Sequence, residues 1–197
     1  GKGVTLGSHT AGDLTTTANR PSAGQVLSVD GRFVAFVSNA TDLAPGQIDV
    51  DGSSDVFLWD RTSGLITLAS HVPGSQLEAA NGGSSSPAIS MDGSSLTFLS
   101  TSTDLVAGQI DGNNASDVFH FRRTSGAVSL VSHVPSSPLT AAGSFSFWPS
   151  ISGNGLVVGF SSVADNLVAN DYNLEEDVFL SVMPPPDPHR RSRPQRH

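Results

Sequence analysis

The chain contains no cysteine, so no disulfide and no thiolate metal site can hold it together or carry its chemistry. It has one lysine, one tyrosine and two methionines in 197 residues, and only 14% of its residues are charged. No apolar run approaches the roughly 18 residues needed to cross a bilayer as a helix. Nor does any stretch keep a helical apolar period for ten residues with capping signals at its ends. Cationic charge is scarce as well. Residues 1–183 hold six Lys and Arg against seventeen Asp and Glu, a balance of −11, which repels phosphate backbones and excludes nucleic acid as a partner of this body. Four of the ten cations crowd into "PPPDPHRRSRPQRH" at 184–197. That segment, Pro-rich and without apolar periodicity, is expected to be a disordered tail. No charged-then-apolar leader opens the sequence at "GKGVTLGSHT", so a secretion signal is expected to be absent or already removed.

What is abundant is glycine, serine and short apolar runs, and these recur at a fixed interval. "VTLGSH", "ITLASH" and "VSLVSH" end at His9, His71 and His133, each 62 residues after the last. Asp30-Gly31, Asp92-Gly93 and Asn154-Gly155 follow the same interval, and such pairs between apolar runs are strong signals for tight hairpin turns. Within the second copy, four strands are expected: "PAIS" from Pro87, "SLTFLS" from Ser95, "DVFHF" from Asp117 and "AVSLVSH" from Ala127. Val, Ile, Leu and Phe in runs of four to seven, bounded by Gly, Ser, Asp and Pro, favour strand over helix. The first pair is joined by the Asp-Gly turn, the second by a long acidic loop and the third by "RTSG", connections that suit an antiparallel meander.

A small antiparallel sheet repeated at constant period must bury its faces on its neighbours, which is the construction of a β-propeller. The runs "SVDGRFVAFVS" and "SDVFLWDRTSG", followed by a strand ending in Ser, resemble the WD40-like repeats of the TolB-type β-propeller superfamily over Val4 to Met183. The resemblance implies an all-β chain of about three four-stranded blades and a secreted or periplasmic bacterial setting. Blades of this kind serve many functions, so it implies a fold more than a ligand.

The strand count adds a constraint. The start of the chain supplies one fourth strand, "VTLGSH", two complete blades follow, and the last copy has only "PSIS" from Pro149, "LVVGFS" from Leu156 and "DVFLSVM" from Asp177. Pro184, Pro185 and Pro186 stand where the earlier copies have "RTSG", and prolines cannot donate to a ladder. Three blades do not close a ring, since closed propellers have roughly four to eight. Two arrangements complete it: a head-to-tail homodimer of six blades in which each chain lends "VTLGSH" to the other, or a longer propeller of which this chain is a part.

Functional candidates fall on the side of the sheets that carries the long loops. "DVDGSSD", "DGNNASD" and "DYNLEED" place oxygen-bearing side chains at relative positions 1, 3 and 7: Asp49, Asp51 and Asp55; Asp111, Asn113 and Asp117; Asp171, Asn173 and Asp177. Calcium, a hard cation taking six to eight oxygens, is the candidate cofactor, although the spacing is not that of an EF-hand. The alternative is that these residues cap Asx-type turns and fasten the start of a strand. Of the three, the last loop has the most acid, with Glu175 and Glu176 added, and is the first choice if one site exists.

The three repeated histidines suit a structural role, because equivalent outer strands of different blades lie too far apart to share one ion. No G-x-S-x-G elbow marks a hydrolase nucleophile. Residues that break the repeat are the better candidates for a binding face: Phe145, Phe147 and Trp148 in "GSFSFWPS", with Tyr172 and with His120, which stands where the first copy has Leu58. An aromatic platform of this kind suits a protein or glycan partner; the alternative is that Phe147 and Trp148 are core. The function expected is therefore a non-catalytic binding or scaffolding propeller. The alternative is the propeller portion of an enzyme, a peptidase accessory domain or a lyase-like propeller.

Overall fold

The computed structural model describes residues 3–185; residues 186–197, most of the expected tail, lie outside the described residues. Eleven strands and no helix occur in that range, so no helix is present that is long and apolar enough to cross a membrane. The strands form three antiparallel sheets. The first holds β1 (Ser22–Leu27), β2 (Phe33–Ser38), β3 (Asp55–Asp60) and β4 (Leu65–Leu68) in that order. The second repeats it with β5 (Ser84–Ile89), β6 (Ser95–Ser100), β7 (Asp117–Arg122) and β8 (Ala127–Leu130). The third has β9 (Ser146–Ile151), β10 (Val157–Ser162) and β11 (Asp177–Val182), with β11 at its edge among the described residues.

The turn chemistry read from the sequence is the chemistry that forms. Asp30, Asp92 and Asn154 each accept a backbone N–H two residues on, from Arg32, Ser94 and Leu156. Each also accepts the hydroxyl of the serine two residues back, at 2.6 to 2.8 Å. The glycine that follows sits at φ of 64°, 66° and 69°, a left-handed backbone that Gly adopts without steric cost. Register is regular, with Phe36 opposite Phe57, Phe98 opposite Phe119 and Phe160 opposite Phe179. Each of these cross-strand pairs stacks with ring centroids 5.6 to 6.0 Å apart.

Consecutive sheets bury their apolar faces on one another. Val56 and Leu58 of β3 pack with Phe98, Phe119 and Phe121 of the second sheet. Val118 of β7 packs with Val158 and Phe160 of the third. The first strand of each later sheet lies against the sheet before it, β5 on the first and β9 on the second. The repeated histidines fasten these joints: His71, just past β4, meets Phe121 edge-on at 6.0 Å and bonds the Val72 carbonyl through Nδ1.

One expected strand does not form. Residues 4–8, "VTLGS", belong to no sheet, and only the His9 that follows them enters a bridge, with Thr17. An isolated extended segment gains no ladder hydrogen bonds, and this one pairs with no sheet edge among the described residues. It crosses the first sheet instead, where His9 meets Trp59 edge-on at 5.8 Å, as His71 meets Phe121. The fourth strand missing from the third copy is also absent among the described residues, and β11 is followed by Pro184 and Pro185.

Candidate functional site

The three acidic loops join the second and third strands of their sheets and share a spacing, yet they are built differently. In the first, Asp49 Oδ1 accepts the Gly52 N–H at 2.8 Å and Asp51 accepts the Ser53 N–H at 2.9 Å. Asp55 opens β3, is 2% exposed, and takes the Ser70 hydroxyl at 2.7 Å. Ser70 in turn accepts the Val56 N–H, so the segment after β4 reaches back to hold the loop's last acid. Burial pushes the Asp55 carboxyl up to about 7, with the charges of Asp49 and Asp51 adding to the shift and the Ser70 hydroxyl opposing it.

The second loop repeats this frame. Asp111 Oδ1 accepts the Asn113 N–H at 3.1 Å. Asn113 Oδ1 accepts the Ala115 N–H at 2.7 Å, and its amide donates to the Ala142 carbonyl at 2.6 Å. Asp117, 1% exposed, takes the Ser132 hydroxyl at 2.7 Å. Burial raises its carboxyl to about 7, with Asp111 adding and Ser132 opposing. The outer carboxylate oxygens of Asp111 and Asp117 are both enclosed and receive no hydrogen bond.

The third loop is open. Asp171 and Asp177 are half-buried, Tyr172, Asn173, Glu175 and Glu176 are exposed, and among the described residues no fourth strand follows β11 and no serine returns to hold Asp177. Instead the Asn173 amide donates to Asp177 Oδ2 at 2.8 Å. Its extra acids therefore lie in solvent, and the enclosed carboxylates belong to the first two loops. No three His, Cys, Asp or Glu side chains converge on a common point among the described residues.

The aromatic candidates divide between surface and interior. Phe145 and Trp148 are exposed, Phe147 is half-buried, and Phe145 stacks on Phe147 with centroids 6.2 Å apart. Trp148 lies at the β9–β10 bulge with φ of 51°. Its equivalents one and two repeats back are Ser86, φ 52°, and Gly24, φ 65°. A left-handed bulge residue is thus part of every copy, and in the last it presents an indole to solvent. Tyr172 is also exposed, with its hydroxyl donating to Asn170 at 3.0 Å.

His120, expected among the binding-face residues, is buried. It is 3% exposed, on the same side of β7 as Val118, and burial holds its imidazole down at about 4, with the charge of Arg122 adding. Its place opposite Thr97 and Ser129 in the ladder explains why Leu58 serves at the same position. A cleft of about 420 Å³ lies elsewhere, between residues 3–8 and the first sheet, lined by Gly7, Ser22, Gln25, Phe36, Trp59 and Arg61. It touches none of the acidic loops.

Sequence reasoning missed two sets of residues. Ser70 and Ser132, half of each Ser-His pair, hold the buried acids. Gln47 and Gln109 brace the loops by donating to the Ala40 and Ser102 carbonyls at 2.7 and 2.8 Å and accepting from the Ala44 and Val106 N–H groups. The repeated "GQID" was the available signal for the latter. No protein-family model matches the chain, and no curated protein matches it significantly.

Proposed function

We propose that the chain is a non-catalytic binding or scaffolding module of β-propeller type, of the TolB-like, WD40-like kind that its motifs resemble, working in a secreted or periplasmic setting. The observation that carries this reading is the uncovered face of the third sheet. Val178, Leu180 and Val182 point to one side of β11 at 79%, 74% and 77% exposure, whereas Val56 and Val118, which match Val178 in the earlier copies, are fully buried by the next sheet. Apolar faces of this sort mark interaction surfaces. The occupant assigned to it is a second copy of the chain, placed head to tail so that six sheets complete a ring. The long-loop side, with Phe145 and Trp148, is then the surface for a protein or glycan.

Sedimentation equilibrium tests this. A species of about twice 20.3 kDa is expected, with V178D/L180D reducing it to a monomer of unchanged strand content. A wild-type chain that remains monomeric at all concentrations, or a dimer indifferent to these substitutions, would rule the head-to-tail arrangement out.

A further inference from the structure

We infer that the loop between β6 and β7 is a divalent-cation site of calcium type, with Asp111 and Asp117 supplying its carboxylates. Asp117 is almost wholly enclosed; its Oδ1 is used by Ser132, and its Oδ2 is shut away from water with no donor in reach. Asp111 repeats the pattern, with Oδ1 on the Asn113 N–H and Oδ2 enclosed and unpartnered. An ionised carboxylate oxygen removed from water without a partner is costly, and two such oxygens from neighbouring acids cost more than the sum. A divalent ion between them reverses that sign.

The donor chemistry selects the class of ion. The loop offers oxygen and neither imidazole nor thiolate, which suits a hard cation, and its carbonyls and waters can complete six to eight ligands. Asn113 already spends both ends of its amide on the backbone, so it shapes the loop rather than binding.

The sister loops explain why this one is chosen. In the first loop Asp49 Oδ2 is also enclosed and unpartnered, but Asp55 Oδ2 is not, so the loop offers one such oxygen where the second offers two. In the third loop the Asn173 amide occupies the Asp177 oxygen. One spacing therefore gives three outcomes: one enclosed, unpartnered carboxylate oxygen in the first loop, two in the second and none in the third.

The test is calorimetric titration of calcium chloride into the chelator-stripped full chain at pH 7.5, paired with thermal melting in calcium and in EDTA. One ion per chain is expected, with a dissociation constant of about 10⁻⁴–10⁻³ M, the range of extracellular modules. The melting midpoint should rise with calcium by mass action. D117N, which keeps the shape and removes the charge, should abolish both effects, and D111N should weaken binding at least tenfold while leaving the strand signal intact. D55N and D171N should leave the isotherm unchanged. Absence of heat and of any midpoint shift would overturn the site, as would binding lost in D55N but retained in D117N. A single proton shared by Asp111 and Asp117 would give an infrared carboxyl band titrating near neutrality that calcium does not displace, and it too would overturn the site.

Discussion

The second and third sheets are written in nearly the same residues and end in different states. Asp117-Val118-Phe119 and Asp177-Val178-Phe179 are the same tripeptide at the start of the third strand. In the second sheet all three residues are buried; in the third, Val178 is exposed and the other two are half-buried. The difference does not come from strand propensity or from register, which is intact in both. It comes from what stands next to each strand: β7 has β8 on one side and the third sheet across its face, while β11 has neither among the described residues. Burial here is a property of the neighbour.

The largest test of that contrast is in the core. Phe119→Ala should lower the unfolding free energy in urea by about 3–5 kcal/mol, the cost of a large cavity in a closed site. Phe179→Ala, its half-covered counterpart, should cost less than half as much; equal losses would mean that the third sheet is covered in solution.

A second test uses His120, which stands buried where the first sheet has Leu58 and the third has Leu180. Its folded pKa of about 4 lies below the unfolded value of 6.5, so the unfolded chain binds the extra proton between those limits. The stability that the neutral imidazole permits is present above pH 6.5 and lost as pH falls toward 4. Compared with H120L, the wild-type chain should therefore lose up to about 3 kcal/mol over that window. A difference that stays constant from pH 7 to pH 4 would show that His120 is solvated.

Ser132→Ala is expected to cost about 1–2 kcal/mol, since it removes the donor to Asp117 and the acceptor for the Val118 N–H together. Among the described residues the third sheet has no serine in the equivalent role. The smallest effect belongs to the open face: V178S and L180S should each change monomer stability by no more than about 0.5 kcal/mol, as surface substitutions do. A larger loss in dilute chain would mean that the face is covered from within.

Much of the architecture was legible because it is local. Asp-Gly and Asn-Gly pairs make tight turns through their own side chains, and Phe57, Phe119 and Phe179 repeat at one position of one strand. The period of 62 residues gave the number of sheets directly. "VTLGSH" is similar in pattern to "ITLASH" and "VSLVSH" but forms no strand in the single chain, because a strand needs an edge as well as a sequence. The acidic loops misled in degree: the third has the most carboxylates, but the enclosed oxygens are in the copies where Ser70 and Ser132 return from a following strand. His120 looked like a surface departure from the repeat, although a buried neutral imidazole fills the place of a leucine.

By itself, the sequence determined the strands, their turns and their repetition, because each depends on bonds between residues close along the chain. Only the tertiary structure decided which of three equivalent valines is wet, which acidic loop encloses both of its carboxylates and where Trp148 faces. Those outcomes depend on surfaces brought together from distant parts of the chain, and identical segments meet different ones.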